Sequence, residues 1–181
     1  MNIMNKIMNT ELLDKIKYNI KEDFPAEGVK FIDFMPTFSD LDLMKEIATT
    51  ICTIFKDIKV DYVVMPESRG YILGTLVANE LGVDMIPVRK HGKLPADYVG
   101  ASYEYQTEYS TETLDIPKLD DLSGKTCIFI DDVYALGGTY YACKRLVEMC
   151  GANMFGGACI YSVGINENPE ILCIMNNEDL R

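Results

Sequence analysis

The 181-residue chain is 48% hydrophobic, 25% charged and 10% aromatic, a balance that excludes disordered, collagenous and mini-protein scaffolds and predicts one ordinary folded domain. Its 17 Lys and Arg against 28 Asp and Glu leave a formal charge of −11, which disfavours nucleic acid and anionic membrane surfaces as partners. An anionic ligand must then be held by locally gathered positive charge.

Six cysteines, at 52, 127, 143, 150, 159 and 173, form no C-x-x-C pair and sit mostly in apolar runs, as reduced core thiols of a cytoplasmic protein do. The single histidine, His91, excludes His-cluster metal centres and leaves at most one way to build a nucleophile relay. No apolar run approaches the ~18 residues of a membrane span. The first nine residues alternate Met and Ile with Asn, so no secretory signal is expected.

In chain order, Met4, Met8, Leu12, Ile16 and Ile20 recur four apart and predict an amphipathic helix ending near Lys21. Asp23-Phe24-Pro25-Ala26-Glu27-Gly28 is punctuation, with Gly28 free to take positive φ. A second helix is expected from an N-cap at Ser39 or Asp40, burying Leu41, Met44, Ile47, Ala48, Ile51, Ile54 and Phe55. Residues 62–65 read as a buried strand, 70–81 as a helix, and 85–88 as a strand in which Pro87 implies a sheet edge or a bulge. Residues 98–116 resemble an exposed hairpin. A strand over 126–130, a helix over 139–150 and a final strand over 154–163 complete the pattern. This alternation predicts an α/β fold with a mainly parallel sheet flanked by helices. Ligands bind such sheets beyond the carboxyl ends of the strands, in the loops after Met65, Val88 and Ile130.

The third of these loops carries the most chemistry. An apolar strand runs into Asp131-Asp132, then through Val133-Tyr134-Ala135-Leu136 into Gly137-Gly138-Thr139 at the head of a helix. Two glycines let backbone amides converge on an oxyanion, and the helix N-terminus adds free N–H groups and its dipole. The paired acids can accept hydrogen bonds from vicinal hydroxyls or orient a hydrated Mg²⁺; as alternatives they are solvated loop acids or a receiver-type acidic pocket. Together the parts predict a ligand with a sugar diol at one end and a phosphate at the other. In the first loop, Arg69 suits bidentate recognition of a second phosphate. In the second, Arg89, Lys90 and Lys93 supply the counter-charge that an acidic chain needs, unless they are simply a solvated basic loop.

The segment 127–139 resembles the phosphoribosyl-pyrophosphate signature of the type I phosphoribosyltransferases, whose loop has Thr where Leu136 stands. Ser68-Arg69-Gly70, the run Arg-Lys-His-Gly-Lys-Leu-Pro at 89–95, Ala101-Ser102-Tyr103, Glu108-Tyr109-Ser110 and the stretch from Phe24 to Asp33 extend the likeness to the adenine-using branch, over residues 22–163.

The resemblance implies a single phosphoribosyltransferase domain over 1–181. Residues 1–38 would form an N-terminal hood and base-binding segment, 39–165 a core with a flexible hairpin loop at 94–112, and 166–181 a tail. It implies transfer of the phosphoribosyl group to N9 of adenine, giving AMP and pyrophosphate in purine salvage. It further implies Mg²⁺ carried by the substrate rather than by protein ligands, and a cytoplasmic homodimer. Asp131 and Asp132 would hold the ribose, and Ala135, Leu136, Gly137, Gly138 and Thr139 the 5′-phosphate. Arg69, Arg89, Lys90 and Lys93 would neutralise pyrophosphate. Val29, Lys30, Phe31 and Ile32 would flank the base, although the branch often has Arg at the place of Ile32. Glu108 would exchange the purine proton beside Tyr109, with Glu104 as the second choice. Use of another purine or a pyrimidine, or a non-catalytic sensor of phosphoribosyl pyrophosphate, are the alternatives.

Overall fold

The computed structural model describes residues 10–24, 27–28, 30–106, 110–164 and 168–180. Helix α1 (Thr10–Lys15) leads into a two-stranded antiparallel ribbon, β1 (Asn19–Glu22) and β2 (Lys30–Asp33). The predicted amphipathic helix is therefore much shorter at its end. Leu12 and Ile16 are buried as its spacing implies, but Ile20 lies in β1 and is 41% exposed. Met4 and Met8 lie outside the described residues. Gly28 does take positive φ, +81°, and its N–H donates to the Asp23 carboxylate.

After α2 (Met35–Phe38), Asp40 caps α3 (Leu41–Phe55) by accepting from the Leu43 N–H. Met44, Ile47, Ala48, Ile51 and Phe55 are buried as predicted, whereas Leu41, in the first turn, is 58% exposed. Strand β3 (Tyr62–Pro66), helix α4 (Gly70–Leu81) and strand β4 (Asp84–Lys90) follow. The 98–116 region is a hairpin of β5 (Val99–Gln106) and β6 (Thr111–Pro117). It is not free in solvent: β6 pairs with β4, and Leu114, Asp115 and Ile116 are buried. Strand β7 (Thr126–Tyr134), helix α5 (Gly138–Met149), β8 (Asn153–Ser162) and β9 (Ile171–Met175) complete the order.

The main sheet runs β5-β6-β4-β3-β7-β8-β9. Pairs β4/β3, β3/β7, β7/β8 and β8/β9 are parallel, and the hairpin adds two antiparallel pairs at one side. Pro87 sits inside this sheet, yet β6 pairs only with Arg89 and Lys90, so the flank of β4 beside Pro87 has a partner on the β3 side alone. Strand β9 falls in the tail and was not anticipated; its Ile171, Ile174 and Met175 are buried.

Alternation along β7 divides the interior. Ile128 and Ile130 join Met44, Ile47, Leu73 and Val77 of α3 and α4 on one face, while Cys127 and Phe129 join Tyr140, Cys143, Leu146 and Val147 of α5 on the other. Each such fully buried aliphatic side chain contributes ~1.5–3 kcal/mol relative to exposure. Helices on both faces leave the strand ends as the open rim, where the segments after β3, β4 and β7 meet.

Candidate active site

Strand β7 does not stop at Ile130. It continues through both aspartates to Tyr134, pairing Asp131 with Cys159 and Tyr134 with Ser162 of β8. Although they are neighbours on a strand, both acids reach the start of α4, where Asp131 Oδ1 lies 3.1 Å from the place a β-carbon on Gly70 would take. Asp132 is 2% exposed and lies toward α4, with its Oδ2 3.1 Å from Arg69 Nε. The N–H is not aimed at that oxygen, which accepts no well-formed hydrogen bond among the described residues. Asp131 Oδ1 accepts from the Asp132 N–H at 2.9 Å. Burial, followed by the charge of Asp132, holds the Asp131 carboxyl well above the usual range. Burial raises Asp132 too, against the opposing pull of Arg69.

Arg69 also links the acids to the hood. Its guanidinium lies 5.4 Å from the centre of the Phe31 ring, which packs edge-on against Phe24 at 5.2 Å. Lys30 is exposed at the start of β2. Ile32, expected beside the base, is 6% exposed and joins the hydrophobic core, because neighbours in a strand take opposite faces. Val29 lies outside the described residues.

The basic segment is less free than its charge implies. Arg89 Nε donates to Glu67 Oε2 at 3.0 Å, and the Lys90 N–H donates to the same oxygen at 3.0 Å. These contacts hold the Glu67 carboxyl below its ordinary value, the backbone bond from Lys90 contributing most. Lys90 Nζ stands 3.5 Å from Glu112 on the hairpin, and Lys93 is exposed. His91 Nδ1 lies 3.0 Å from Asp115 Oδ1, which also accepts from Ser102 Oγ at 2.6 Å. Burial pushes the Asp115 carboxyl up, but the His91 and Ser102 hydrogen bonds outweigh it and the net shift is downward. Sequence reasoning missed Glu67, Glu112 and Asp115 as organisers of this segment. The available signal was an acid between Leu114 and Ile116, inside an apolar strand where it must find partners.

The glycine turn forms the expected concavity. Gly137 has φ +86°, and a β-carbon there would lie 2.5 Å from the Tyr134 hydroxyl oxygen, so both conformation and space require glycine. Helix α5 begins at Gly138, directing its unsatisfied N–H groups to the same spot. A cleft of about 200 Å³ is lined by Ala135, Leu136, Gly137, Gly138 and Thr139, with Tyr105 and Gln106 closing it from the hairpin. A β-carbon at Gly138 would lie 2.7 Å from the Gln106 carbonyl oxygen and 3.1 Å from the Tyr105 ring. Tyr105 and Gln106 on this wall were not anticipated. Glu104 lies on the exposed side of β5, whereas the flanking Tyr103 and Tyr105 are half-buried. Glu108 and Tyr109 lie outside the described residues.

The structure thus brings Asp131, Asp132, Arg69 and Phe31 to one rim with the glycine turn. The basic segment reaches that rim from the end of β4. A phosphoribosyl transferase domain model matches residues 40–175. The chain is 41% identical over 141 residues to the adenine phosphoribosyltransferase of Thermoanaerobacter sp. strain X514, a match spanning 77% of this chain and 80% of that one. It is also 41% identical over 145 residues to the enzyme of that name from Clostridium perfringens, spanning 80% and 82%. The adenine phosphoribosyltransferase structure from Thermoanaerobacter pseudethanolicus superposes with TM-score 0.83 at 33% identity, over 91% of this chain and 99% of that one. The Saccharomyces cerevisiae enzyme, solved with an imino-altritol bisphosphate and adenine, superposes with TM-score 0.80 at 30% identity, over 91% and 99%.

The chain belongs to the phosphoribosyl transferase family and, within it, groups with the adenine phosphoribosyltransferases.

Proposed function

We propose that the chain transfers the 5-phosphoribosyl group of phosphoribosyl pyrophosphate to N9 of adenine, releasing pyrophosphate and AMP. The observation that carries this reading is the order of groups along the rim. The glycine turn is followed by the acid pair, then by Arg69, then by Phe31, the order phosphate, ribose, diphosphate and base. The yeast relative, solved with a bisphosphorylated imino-sugar and adenine together, supports it from outside the chain.

In the reaction the C1–O bond to pyrophosphate breaks and the C1–N9 bond forms, while the purine loses one proton. The backbone amides of 137–139 and the Thr139 hydroxyl hold the 5′-phosphate and fix C1. Asp131 and Asp132 accept from the ribose hydroxyls, and their negative charge favours the oxocarbenium character that C1 acquires. Arg69, with Arg89, Lys90 and Lys93, offsets the charge growing on pyrophosphate. Arg89 and Lys90 must share their charge between Glu67, Glu112 and the ligand. Mg²⁺ enters as part of the substrate complex; the under-bonded, buried Asp132 oxygen fits an acceptor for its hydration shell or for a ribose hydroxyl. Glu108 takes up the purine proton.

No helix of the described residues is long and apolar enough to cross a membrane. The six cysteines are all free, which agrees with a cytoplasmic setting, and a homodimer follows from the family resemblance. The reading is tested by incubating the protein with Mg²⁺, phosphoribosyl pyrophosphate and each of adenine, hypoxanthine, guanine, xanthine and uracil. AMP and pyrophosphate form with adenine alone. Nucleotide formed from a different base, or no pyrophosphate at all, overturns it.

A further inference from the structure

The family loop resembled by residues 135–139 carries a hydroxyl where this chain has Leu136, so the phosphate cleft lacks one donor from its own loop. The hairpin supplies a hydroxyl on the opposite wall. Tyr105 and Thr139 both line the cleft, and their hydroxyl oxygens stand 3.5 Å apart. That separation is long for a mutual O–H···O bond, whose usual length is about 2.7–2.8 Å, but an acceptor oxygen fits between them at that length from each. The Tyr105 ring is fixed in place, because it packs against Gly138 and lies half-buried at the end of β5. Burial also keeps its phenol protonated, so it remains a donor.

We propose that Tyr105 is a 5′-phosphate ligand, its O–H converging with that of Thr139 on one phosphate oxygen and replacing the donor absent at Leu136. This rests on the cleft being the 5′-phosphate site of the reaction set out above. It assigns to the hairpin a binding role separate from that of any purine-facing residue. The interaction should weigh on ligands that carry the ribose 5-phosphate end and leave ligands of the diphosphate end untouched.

The test measures binding of ribose 5-phosphate and of pyrophosphate by calorimetry to wild type, Y105F, and Y105F combined with L136T, after thermal melts establish that each is folded. A hydrogen bond to a charged acceptor implies that Y105F weakens ribose 5-phosphate on the order of tenfold or more. Pyrophosphate affinity stays within twofold, and L136T recovers most of the loss. Unchanged ribose 5-phosphate binding by Y105F overturns the proposal, as does an equal loss for both ligands. Failure of wild type to use adenine would sink the reaction proposed above without deciding the role of Tyr105, which the two binding measurements still read. Should Y105F fail to fold, L136T alone in wild type serves instead. A gain of less than twofold for ribose 5-phosphate agrees with a donor already present, and a gain of tenfold overturns the proposal.

Discussion

Arg69 Nε stands 3.1 Å from Asp132 Oδ2, joining the acid at the end of β7 to the first residue before α4. In the proposed reaction the pair couples folding to chemistry, because the guanidinium assigned to pyrophosphate is also the counter-charge of a buried carboxyl. Replacing Arg69 with Ala leaves that acid unpaired. A loss of about 1–3 kcal/mol in denaturant unfolding is expected, below the ~3–5 kcal/mol for fully buried pairs because the Arg69 side chain is 29% exposed. Adding D132N should restore much of the stability and none of the turnover.

The aspartates themselves should behave in the opposite way. Because burial raises both carboxyls, and the neighbouring charge raises Asp131 further, their ionisation opposes folding. Their stabilising contribution is complete below the unfolded pKa and is lost as pH rises through the higher folded values. D131N with D132N should therefore melt no lower than wild type at neutral pH, while turnover falls by at least ~10²-fold. In wild type, affinity for phosphoribosyl pyrophosphate should decline on acidification from a pH above the ordinary carboxylate range, since the protonated acids accept less well. Calorimetric titration against pH reads this directly.

Asp115 has the reverse linkage. Its pKa is lowered in the fold, so its contribution is present above the unfolded value and is lost as pH falls through the folded value. D115N should cost about 1.5–3 kcal/mol at neutral pH, the range for hydrogen bonds to a charged group. The gap between the two proteins should close in acid. Urea midpoints measured from neutral pH down through the carboxylate range provide the comparison.

For the two glutamates of the hairpin, E104A should leave turnover within about threefold, because Glu104 lies on the exposed side of β5. E108A should lower it by roughly 10²-fold or more, the usual contribution of a general acid–base group. Steady-state rates with adenine at saturating phosphoribosyl pyrophosphate distinguish them.

Much of this arrangement was legible because local chemistry and tertiary packing agree. Helix α4 begins and ends where Gly70 and Gly82 put its limits, and Asp40 caps α3 as its side chain allows. The glycine turn could be read as an anion cradle from composition alone. Other features depend on partners distant in sequence. An acid pair ends an apolar pattern, so β7 appeared to stop at Ile130; only the ladder to β8 and the charge of Arg69 carry it on to Tyr134. Likewise, a four-residue strand offers no clue to its phase, and burial in the core decides that Ile32 turns inward while Phe31 faces Arg69. The restraint of Arg89 and Lys90 by Glu67 and Glu112 is invisible until β4, the turn after β3 and the hairpin converge.

Strand β7 is anchored in two separate interiors, with Ile128 and Ile130 on one side and Cys127 and Phe129 on the other. A slip of one position along β8 would exchange every inward side chain for its neighbour and take Asp132 away from Arg69. Which acid faces Arg69 is therefore dictated from within the molecule, by four apolar residues further down the same strand.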